Sequence, residues 1–372
     1  MEVGNNMRLA FEGKIERDEI IERAYVDAGQ QFDEKLLNSL VFGDNLDGLN
    51  YMIANGYAGR VDLIYIDPPF ATNSEFKDAS NGGSSISMLN DAELAYSDTR
   101  TEDEFLAFLW PRFILLRELL SDKGSMYVHI DVKYAPYFKV MLDEIFGRNN
   151  YVNEISRVKS NPKNFSRKAY GNEHDTVLFY AKNAGENIWN EVKLPLSKQE
   201  IKDRFTKKDR KGYYTTVPVH APGETMTGQT GGEWKGMLPP VGRHWRTNPS
   251  ELDKMDAAGL IEWSSTGNPR IKKYAKEHSG KKMQDVWLDF KDPQKALYPT
   301  QKNGDMLDMI VRQSSEQGSL VLDAFAGSGE TLRAAAENGR NFIGMDMSAV
   351  SKKVITDRLS ENDNFHVIEL NK

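Results

Sequence analysis

The tetrapeptide Asp67-Pro68-Pro69-Phe70 combines an acid, a stiff turn and an aromatic ring. It follows residues 61–66, an apolar run interrupted only by Asp62, which predicts a buried strand ending in a turn. The two prolines end the strand and restrict the backbone. A carboxylate and a carbonyl can accept hydrogen bonds from an exocyclic amine, and a ring can stack on a base. We therefore predict a functional loop at the carboxyl edge of a sheet, where open α/β sheets bind ligands; a plain proline turn is the alternative for this motif alone.

A second motif has the order strand, glycine loop, helix, strand and acid. Residues 319–323 predict a buried strand that runs into the glycine loop 324–330. A helix and a further strand follow, and that strand ends in Asp346. Glycines allow a tight turn close to a ligand, and an acid after the next strand suits a ribose diol. The loop lacks the Lys-Ser/Thr of a phosphate-binding P-loop, so the pattern favours another nucleotide-like ligand.

Together the two motifs resemble those of the β-class adenine-specific DNA methyltransferases that use S-adenosylmethionine, in the order of that class. Tyr298-Pro299-Thr300-Gln301-Lys302 is similar to the family's His-Pro-Thr-Gln-Lys-Pro segment, and Gly43-Asp44-Asn45 to its Gly-Asp segment. Residues 110–112 and 144–147 resemble the modification subunits of type III restriction systems. The resemblance covers residues 40–182 and 298–348 well and the middle of the chain only loosely.

The resemblance implies a role for each matching residue. Asp67 and the Pro68 carbonyl would hold the target amine, Pro69 would complete the rigid turn, and Phe70 would stack on the flipped base. Asp346 would bind the cofactor's ribose, Asp44 would face its adenine end, and Asp323 would lie near its methionine end. The full set implied for S-adenosylmethionine is Asp44, Thr300, Gln301, Lys302, Asp323, Phe325, Ala326, Gly327, Gly329 and Asp346, with residues 300–302 on the methionine carboxylate.

Some of these assignments have structural alternatives. Asp44 could cap a helix, Lys302 could be a surface lysine, and Asp323 could be structural. The chain also departs from the family pattern at three positions, which are Asn303 and Ala324 in place of proline and Glu330 in place of a hydroxyl residue. A carboxylate suits the first turn of a helix, but it leaves the contact at Glu330 undetermined.

The charge distribution favours a polyanionic partner for the middle of the chain. The formal net charge is −7, yet residues 151–297 hold 26 Lys and Arg against 18 Asp and Glu. Aromatic residues lie among these cations, as in surfaces that contact phosphates and unpaired bases. The candidate DNA-binding residues are Lys207, Lys208, Arg210, Lys211, Arg243 and Arg246. The alternatives are a solvated lysine surface and a small core formed by Trp234, Trp245 and Trp263.

Alternating strands and helices predict the α/β class, and with the resemblance a doubly wound, Rossmann-like methyltransferase fold with an inserted DNA target-recognition region. The predicted domains are an N-terminal helical extension (1–40), a catalytic half (41–182), the recognition region (183–297) and a cofactor-binding half (298–372). Residues 71–100 are polar and aperiodic, so we expect a mobile lid there.

The composition excludes several classes of protein. Without cysteine there are no disulfides or thiolate metal sites, which fits a reducing cytoplasm. No apolar stretch is long enough to span a bilayer, and the N-terminus lacks a signal-peptide core. We predict no metal, because six scattered histidines include only one short pattern, His129-Ile130-Asp131, which is more typical of structure.

The sequence thus predicts a cytoplasmic, site-specific methyltransferase that modifies N6 of a flipped adenine in double-stranded DNA, within a restriction-modification or epigenetic system. One alternative is a cytosine-N4 enzyme of the same fold, whose relatives usually carry Ser at the position of Asp67. The other is an inactive DNA-binding homologue, against which the intact Asp67, Phe70 and glycine loop argue. The resemblance permits a homodimer and a restriction subunit as partners, and the sequence decides neither.

Overall fold

The computed structural model describes residues 8–26, 33–69, 101–160, 168–225, 228–293, 301–362 and 364–370. Within it the chain forms two compact units, one from residues up to 192 together with those from 284 onward, and one from residues 193–283. Phe70, Thr300 and the predicted lid 71–100 lie outside the described residues, so their roles stay predictions.

The helices and strands alternate along most of the chain. The α-helices are α1 (Arg17–Tyr25), α2 (Asn45–Ala54), α3 (Glu102–Leu119), α4 (Ala135–Phe146), α5 (Lys198–Arg204), α6 (Pro249–Ala257), α7 (Gly304–Ser314), α8 (Glu330–Glu337) and α9 (Ala349–Leu359). The strands are β1 (Ser39–Phe42), β2 (Val61–Ile66), β3 (Leu120–Ile130), β4 (Tyr151–Val158), β5 (His174–Ala181), β6 (Lys193–Leu194), β7 (Lys207–Asp209), β8 (Gly212–Pro218), β9 (His220–Pro222), β10 (Arg243–Trp245), β11 (Ile261–Trp263), β12 (Pro269–Tyr274), β13 (Lys281–Lys282), β14 (Val286–Trp287), β15 (Leu320–Asp323), β16 (Asn341–Asp346) and β17 (His366–Glu369).

The first unit contains a nine-stranded sheet in the order β14-β4-β5-β3-β2-β15-β16-β1-β17. β5 runs antiparallel to both β3 and β4, and the remaining neighbours are parallel. β2 is a topological switch point, because β3 lies on one side of it and β15, from far along the chain, on the other. Ligands bind at the carboxyl ends of strands at such points. The sheet confirms the predicted doubly wound α/β fold.

Helix α3 begins where the sequence predicts it. The Thr101 hydroxyl accepts a hydrogen bond from the Glu104 amide at 3.3 Å, and the Glu104 carboxylate accepts one from the Thr101 amide at 2.7 Å. This reciprocal capping box satisfies amides that have no partner inside the helix. The helix continues through Pro111 and buries most of its apolar side chains in the core of the first unit.

The N-terminal segment packs on this helix. The Trp110 indole donates to the carbonyl of Ile15 at 2.7 Å, and the Lys14 ammonium pairs with Glu144 at 2.7 Å. Of the predicted extension 1–40, the described part holds α1 and a short 3-10 turn at 34–36, and Ser39 already belongs to strand β1 of the main sheet.

The second unit lies inside the range 183–297 predicted for DNA recognition. It holds the antiparallel sheet β11-β12-β8-β7 and the short pairs β9–β10 and β6–β13. Its core combines two buried tryptophans, Trp234 and Trp245, with aliphatic residues from β11, β12 and α6. Trp263 is more exposed and stacks on Trp234, with ring centroids 5.5 Å apart.

The flanks of the range 183–297 belong to the first unit, where β14 extends the main sheet beside β4. In the described part of the chain, none of the helices combines the length and apolar character needed to cross a membrane.

Candidate active site

Four acids lie at the carboxyl ends of four neighbouring parallel strands. Asp67 follows β2, Asp323 ends β15, Asp346 ends β16, and Asp44 comes two residues after β1. These strands are adjacent in the order β2-β15-β16-β1. The fold therefore collects, at one edge of the sheet, acids that are separated by up to 302 positions in the sequence. We call this set the strand-edge site.

Asp67 has one engaged and one free carboxylate oxygen. Its Oδ2 lies 2.7 Å from the Nζ of Lys302, and both side chains are largely buried. Its Oδ1 is buried without a hydrogen-bond partner among the described residues. A buried acceptor without a partner is costly, so such an atom marks a position where a ligand donor would be stabilised.

The glycine loop is fastened to Asp346. Its carboxylate accepts hydrogen bonds from the amides of Gly327 and Ser348, each at 2.8 Å, and the Ser351 hydroxyl donates to the carbonyl of Gly327 at 2.6 Å. The backbone of Met347 also donates a hydrogen bond to this carboxylate. Asp346 therefore fixes the glycine loop to the turn that follows β16.

Glycine is required where this loop enters α8. Gly329 has φ +71°, and a Cβ there would lie 2.7 Å from Cγ1 of Ile355. Both the left-handed backbone and the close approach of α9 exclude a larger residue. Beside it, Ala326 is buried, and its amide donates to the carbonyl of Met345 at 2.9 Å.

Asp323 is buried in the centre of the strand-edge site. Its Oδ1 accepts a hydrogen bond from the Phe325 amide at 3.0 Å. Burial raises the pKa of the Asp323 carboxyl to about 7, and the negative charges of Asp67 and Asp346 act in the same direction. Burial also raises the pKa of Asp346. Burial is thus the main cause of both shifts, and for Asp323 the neighbouring carboxylates add to it.

Asp44 performs the helix-capping role and also forms an ion pair. Its Oδ1 accepts from the Leu46 amide at 2.7 Å, and the guanidinium of Arg112 lies 2.8 Å from the same oxygen. Arg112 is buried and also donates to the side chain of Asn45, whose amide donates to the carbonyl of Ala324 at 2.7 Å. The chain Asp44–Arg112–Asn45–Ala324 thus ties the β1–α2 turn to the glycine loop.

The sequence assigned no role to Arg112 and Asn45, which connect Asp44 to the glycine loop. Both lie in segments that resemble the family, but a buried arginine is recognisable only when its acceptors are known. Arg112 also covers the ring of Phe108, with its guanidinium carbon 3.6 Å from the ring centroid, and that ring meets Phe325 edge-on at 6.5 Å. The position of Phe325 is therefore defined by α3.

The unusual Glu330 is the centre of a charged cluster. Its carboxylate accepts hydrogen bonds from Arg333 at 2.6 Å and from Gln301 at 3.2 Å, and it pairs with Arg358. A Cβ at Gly304 would lie 2.6 Å from this carboxylate. Glu330 therefore joins the start of α8 to α9 and to the segment 301–304, which explains why the site tolerates a carboxylate there.

A network of buried polar side chains begins at Tyr65, two residues before Asp67. The Tyr65 hydroxyl lies 2.8 Å from Nδ1 of His129, whose Nε2 lies 3.2 Å from the Asp175 carboxylate. Lys159 pairs with that carboxylate at 2.7 Å. Burial, followed by the positive charge of Lys302, lowers the pKa of His129, which favours a neutral ring. The described residues contain no group of three His, Asp or Glu side chains arranged to hold a metal.

In the second unit, the lysines predicted to bind DNA have partners within the unit. Lys207 pairs with Glu262, and the Nζ of Lys211 donates to the carbonyl of Ala258 at 2.8 Å. The Nζ of Lys208 lies 5.0 Å from the ring centroid of Tyr213. Part of their charge is therefore used to hold the unit together.

The predicted arginines converge with a third. The guanidinium of Arg243 lies 3.2 Å from Nδ1 of His220, and Arg246 donates to the carbonyl of Pro218 at 2.9 Å. Arg270 donates to the hydroxyl and the carbonyl of Thr216, each at 2.9 Å. Burial and then the charges of these three arginines lower the pKa of His220. We call Arg243, Arg246 and Arg270 the arginine face; Arg270 was missed because it is distant in sequence.

Known proteins resemble this chain along most of its length. Residues 61–357 match the model of a DNA methylase family of N6 and N4 methyltransferases. The type II methyltransferase M.EcaI of Enterobacter cloacae is 40% identical over 96% of this chain and 78% of its own length. The StyLTI Mod subunit, from a type III restriction-modification enzyme of Salmonella typhimurium, is 29% identical over 80% of this chain, which spans 49% of that subunit.

Among solved structures, TTHA0409 of Thermus thermophilus, complexed with S-adenosyl-L-methionine, aligns over 90% of this chain and all of its own, with 15% identity and a TM-score of 0.46. The family match covers most of the chain and includes β2, the glycine loop and the second unit. The chain therefore belongs to the DNA methylase family, which confirms the S-adenosylmethionine-dependent DNA methyltransferase class predicted from its sequence.

Proposed function

We propose that this protein methylates N6 of adenine at specific sites in double-stranded DNA and that Asp67 receives the target amine. The observation that carries the proposal is the free, buried Oδ1 of Asp67 at the switch point of the sheet. The printed names of the relatives, a type II methyltransferase and a type III Mod subunit, support a role in a restriction-modification system.

The strand-edge site fits S-adenosylmethionine. Asp346 fixes the glycine loop at the place predicted for the ribose, and the neighbouring carboxylates of Asp67, Asp323 and Asp346 favour a cationic ligand. Asp44, Phe325, Ala326, Gly327 and Gly329 complete the predicted set, with Thr300, Gln301 and Lys302 toward the carboxylate. When bound, the cofactor supplies an electrophilic methyl group.

Asp67 acts by accepting a hydrogen bond from the exocyclic amine while positive charge develops on its nitrogen. A fixed carboxylate stabilises that charge without reorganisation, which is the largest contribution expected of a preorganised site. Lys302 holds the other carboxylate oxygen at 2.7 Å. Its ammonium has three donors, so it can orient Asp67 and still bind a ligand carboxylate.

The second unit supplies the DNA contacts. Residues 193–283 hold 18 Lys and Arg against 10 Asp and Glu, whereas the whole chain has a formal net charge of −7. We assign phosphate contacts to Arg243 and Arg246 with Arg270, and further contacts to Lys207, Lys208, Arg210 and Lys211. Because N6 is not accessible to such a site inside a stacked duplex, the target base is flipped.

Assembly and location are further parts of the proposal. The names of the Mod-subunit relatives support association with a restriction subunit. Association with a second copy of the chain is proposed from the family resemblance of the sequence. The chain spans only about half the length of those subunits, so these partners are proposed from similarity alone. A cytoplasmic location fits a protein that modifies DNA.

Nucleoside mass spectrometry of DNA treated with the purified protein tests the proposed chemistry. The expected product is N6-methyladenine, and single-molecule sequencing of the same DNA gives the recognition motif. N4-methylcytosine as the main product would contradict the assignment of the target atom. DNA that remains unmodified would contradict the enzymatic function and favour a binding protein.

A further inference from the structure

The second unit displays an apolar turn that the proposed function does not yet use. Residues 238–241 read Leu-Pro-Pro-Val. Leu238 is 68% exposed and Val241 is 99% exposed, although both side chains are aliphatic. The two side chains form a small apolar tip that a partner could reach, and the groups around it decide which partner fits.

The turn is held rigidly at both ends. Trp234 and Trp245, on either side of it, are buried in the core of the second unit, with ring centroids 5.9 Å apart. Paired backbone hydrogen bonds of 2.8 and 2.9 Å join Trp234 to Met237, and the Arg243 amide donates to the carbonyl of Pro240 at 3.0 Å. The two prolines restrict the backbone further. The turn is thus a stiff apolar projection on a tryptophan base.

The charges around the turn favour a nucleic acid as its partner. Arg243 and Arg246 follow it directly, and Arg270 joins them around His220. Acids beside the turn are already bound: Glu224 accepts from the Gly242 amide at 2.9 Å, Asp253 accepts from the Trp234 indole at 2.9 Å, and Asp256 pairs with Lys235. An aliphatic tip beside a cluster of arginines matches the pattern in which cations bind phosphates and Leu or Pro side chains insert between base steps.

We propose that residues 238–241 form a wedge that enters the DNA duplex and stabilises its open, base-flipped state. The proposal rests on the proposed DNA methyltransferase function and adds the element that opens the helix. The Leu238 and Val241 side chains replace stacking that is lost when a base leaves the duplex, while the arginine face holds the phosphates on either side.

The test uses the full-length chain and a duplex with the motif found by sequencing, in which 2-aminopurine replaces the target adenine. Its fluorescence rises when the base leaves the stack. In the double variant Leu238→Ser and Val241→Ser we expect this rise to fall about fivefold or more. A matched control is Val286→Ser with Leu288→Ser, the same residue types at 54% and 61% exposure in the first unit, which should behave as the wild type.

A second duplex, with an abasic site opposite the target, separates opening of the duplex from any other role of the turn 238–241. This duplex is made in two forms, one with adenine at the target for methylation and one with 2-aminopurine for fluorescence, because 2-aminopurine has no amine at C6 to methylate. Since the target is already unpaired in both, the Leu238/Val241 double variant should regain methylation of the first and fluorescence of the second close to the wild type. Replacement of Leu238 by Met should preserve opening in the normal duplex. These outcomes would support the wedge.

Three results would overturn it. The double variant could open the normal duplex as the wild type does, it could remain defective on the abasic duplex, or it could change only the oligomeric state measured by light scattering, which would make the turn a protein contact. Wild-type protein that neither modifies DNA nor raises the fluorescence would instead contradict the proposed function itself, so the two failures are distinguishable.

Discussion

The strand-edge site of the first unit and the arginine face of the second unit are built in different ways. The acids of the site are fixed by internal contacts: Asp346 by two amides, Asp44 by Arg112, and Asp67 by Lys302. The arginines of the face are anchored mainly through neutral carbonyl, hydroxyl and imidazole groups. Neutral partners leave the positive charge uncompensated. We therefore propose that the first unit is organised to hold one ligand geometry and the second to attract a polyanion.

The largest effect should follow from removing the carboxylate of Asp67. Its Oδ1 is the buried acceptor of the strand-edge site that has no partner among the described residues. We expect Asp67→Ala to lower methyl transfer by roughly 10³-fold or more, because the charge on the target nitrogen loses its stabilising group. Tritium transfer from labelled cofactor to DNA measures this, and calorimetry should show that cofactor binding largely survives.

Asp62→Ala is the matched control for Asp67→Ala, because Asp62 belongs to the strand that Asp67 follows but accepts a hydrogen bond from Ser121. It should retain activity. A folded Asp67→Ala variant that no longer binds the cofactor at all would show that Asp67 serves the cofactor rather than the target amine.

The next effect should distinguish the arginine face from the internally paired lysines. Replacing Arg243, Arg246 and Arg270 together by Gln should weaken DNA binding by about 100-fold at moderate salt and reduce the salt slope by about 3, since each phosphate contact releases roughly one counterion. Fluorescence anisotropy across a salt series measures both quantities.

The comparison variant replaces Lys207, Lys208 and Lys211 by Gln. It should weaken binding less, because Lys207 is already paired with Glu262 and Lys211 is bound to a backbone carbonyl. Equal losses in the two triple variants would mean that the internal partners do not limit the lysines, and the contrast between the two sets would be wrong.

The difference between the units also explains what the sequence could predict. Asp67, Asp323 and Asp346 each end a strand in a recognisable pattern, so periodicity and turn residues were enough to find them. The ion-pair partners of these acids were harder to predict, because they are distant in the sequence. Lys302 is 235 positions from Asp67, and Arg112 is 68 positions from Asp44. Only the folded sheet brings them together. In the second unit the strands are short and irregular, so neither Arg270 nor the role of turn 238–241 could be predicted.

A third prediction concerns the charged cluster at Glu330. Glu330→Thr restores the residue type usual in the family but leaves the largely buried Arg358 without the carboxylate of Glu330 and leaves Arg333 only its pair with Glu337. Breaking a buried ion pair from one side costs about 3 kcal/mol of folding free energy. Urea unfolding measures the loss.

Glu337→Thr provides the control, because Glu337 also pairs with Arg333 but is 58% exposed. Its loss should cost less than about 1 kcal/mol. If both variants lost the same stability, burial would not be the reason that Glu330 matters, and the idea of a site fixed by internal contacts would be weakened.

The last prediction concerns the pH dependence of the stability of Asp323→Asn. The pKa of Asp323 is about 7 in the folded protein, against an ordinary value of 3.8, so the folded state binds the proton more tightly. The contribution of Asp323 to the free energy of unfolding of the wild type therefore falls as pH rises from about 4 to 7. Above that range it does not change further. The asparagine variant lacks this loss and retains an acceptor for the Phe325 amide. Its stability relative to the wild type should rise by up to roughly 1.4 kcal/mol per pH unit in this window. Urea unfolding at pH 5, 6, 7 and 8 measures the difference.

Parallel plots of stability against pH for the two proteins would show that Asp323 is ionised throughout this range. The negative charge of the strand-edge site would then be compensated within the site itself, where Lys302 pairs with Asp67.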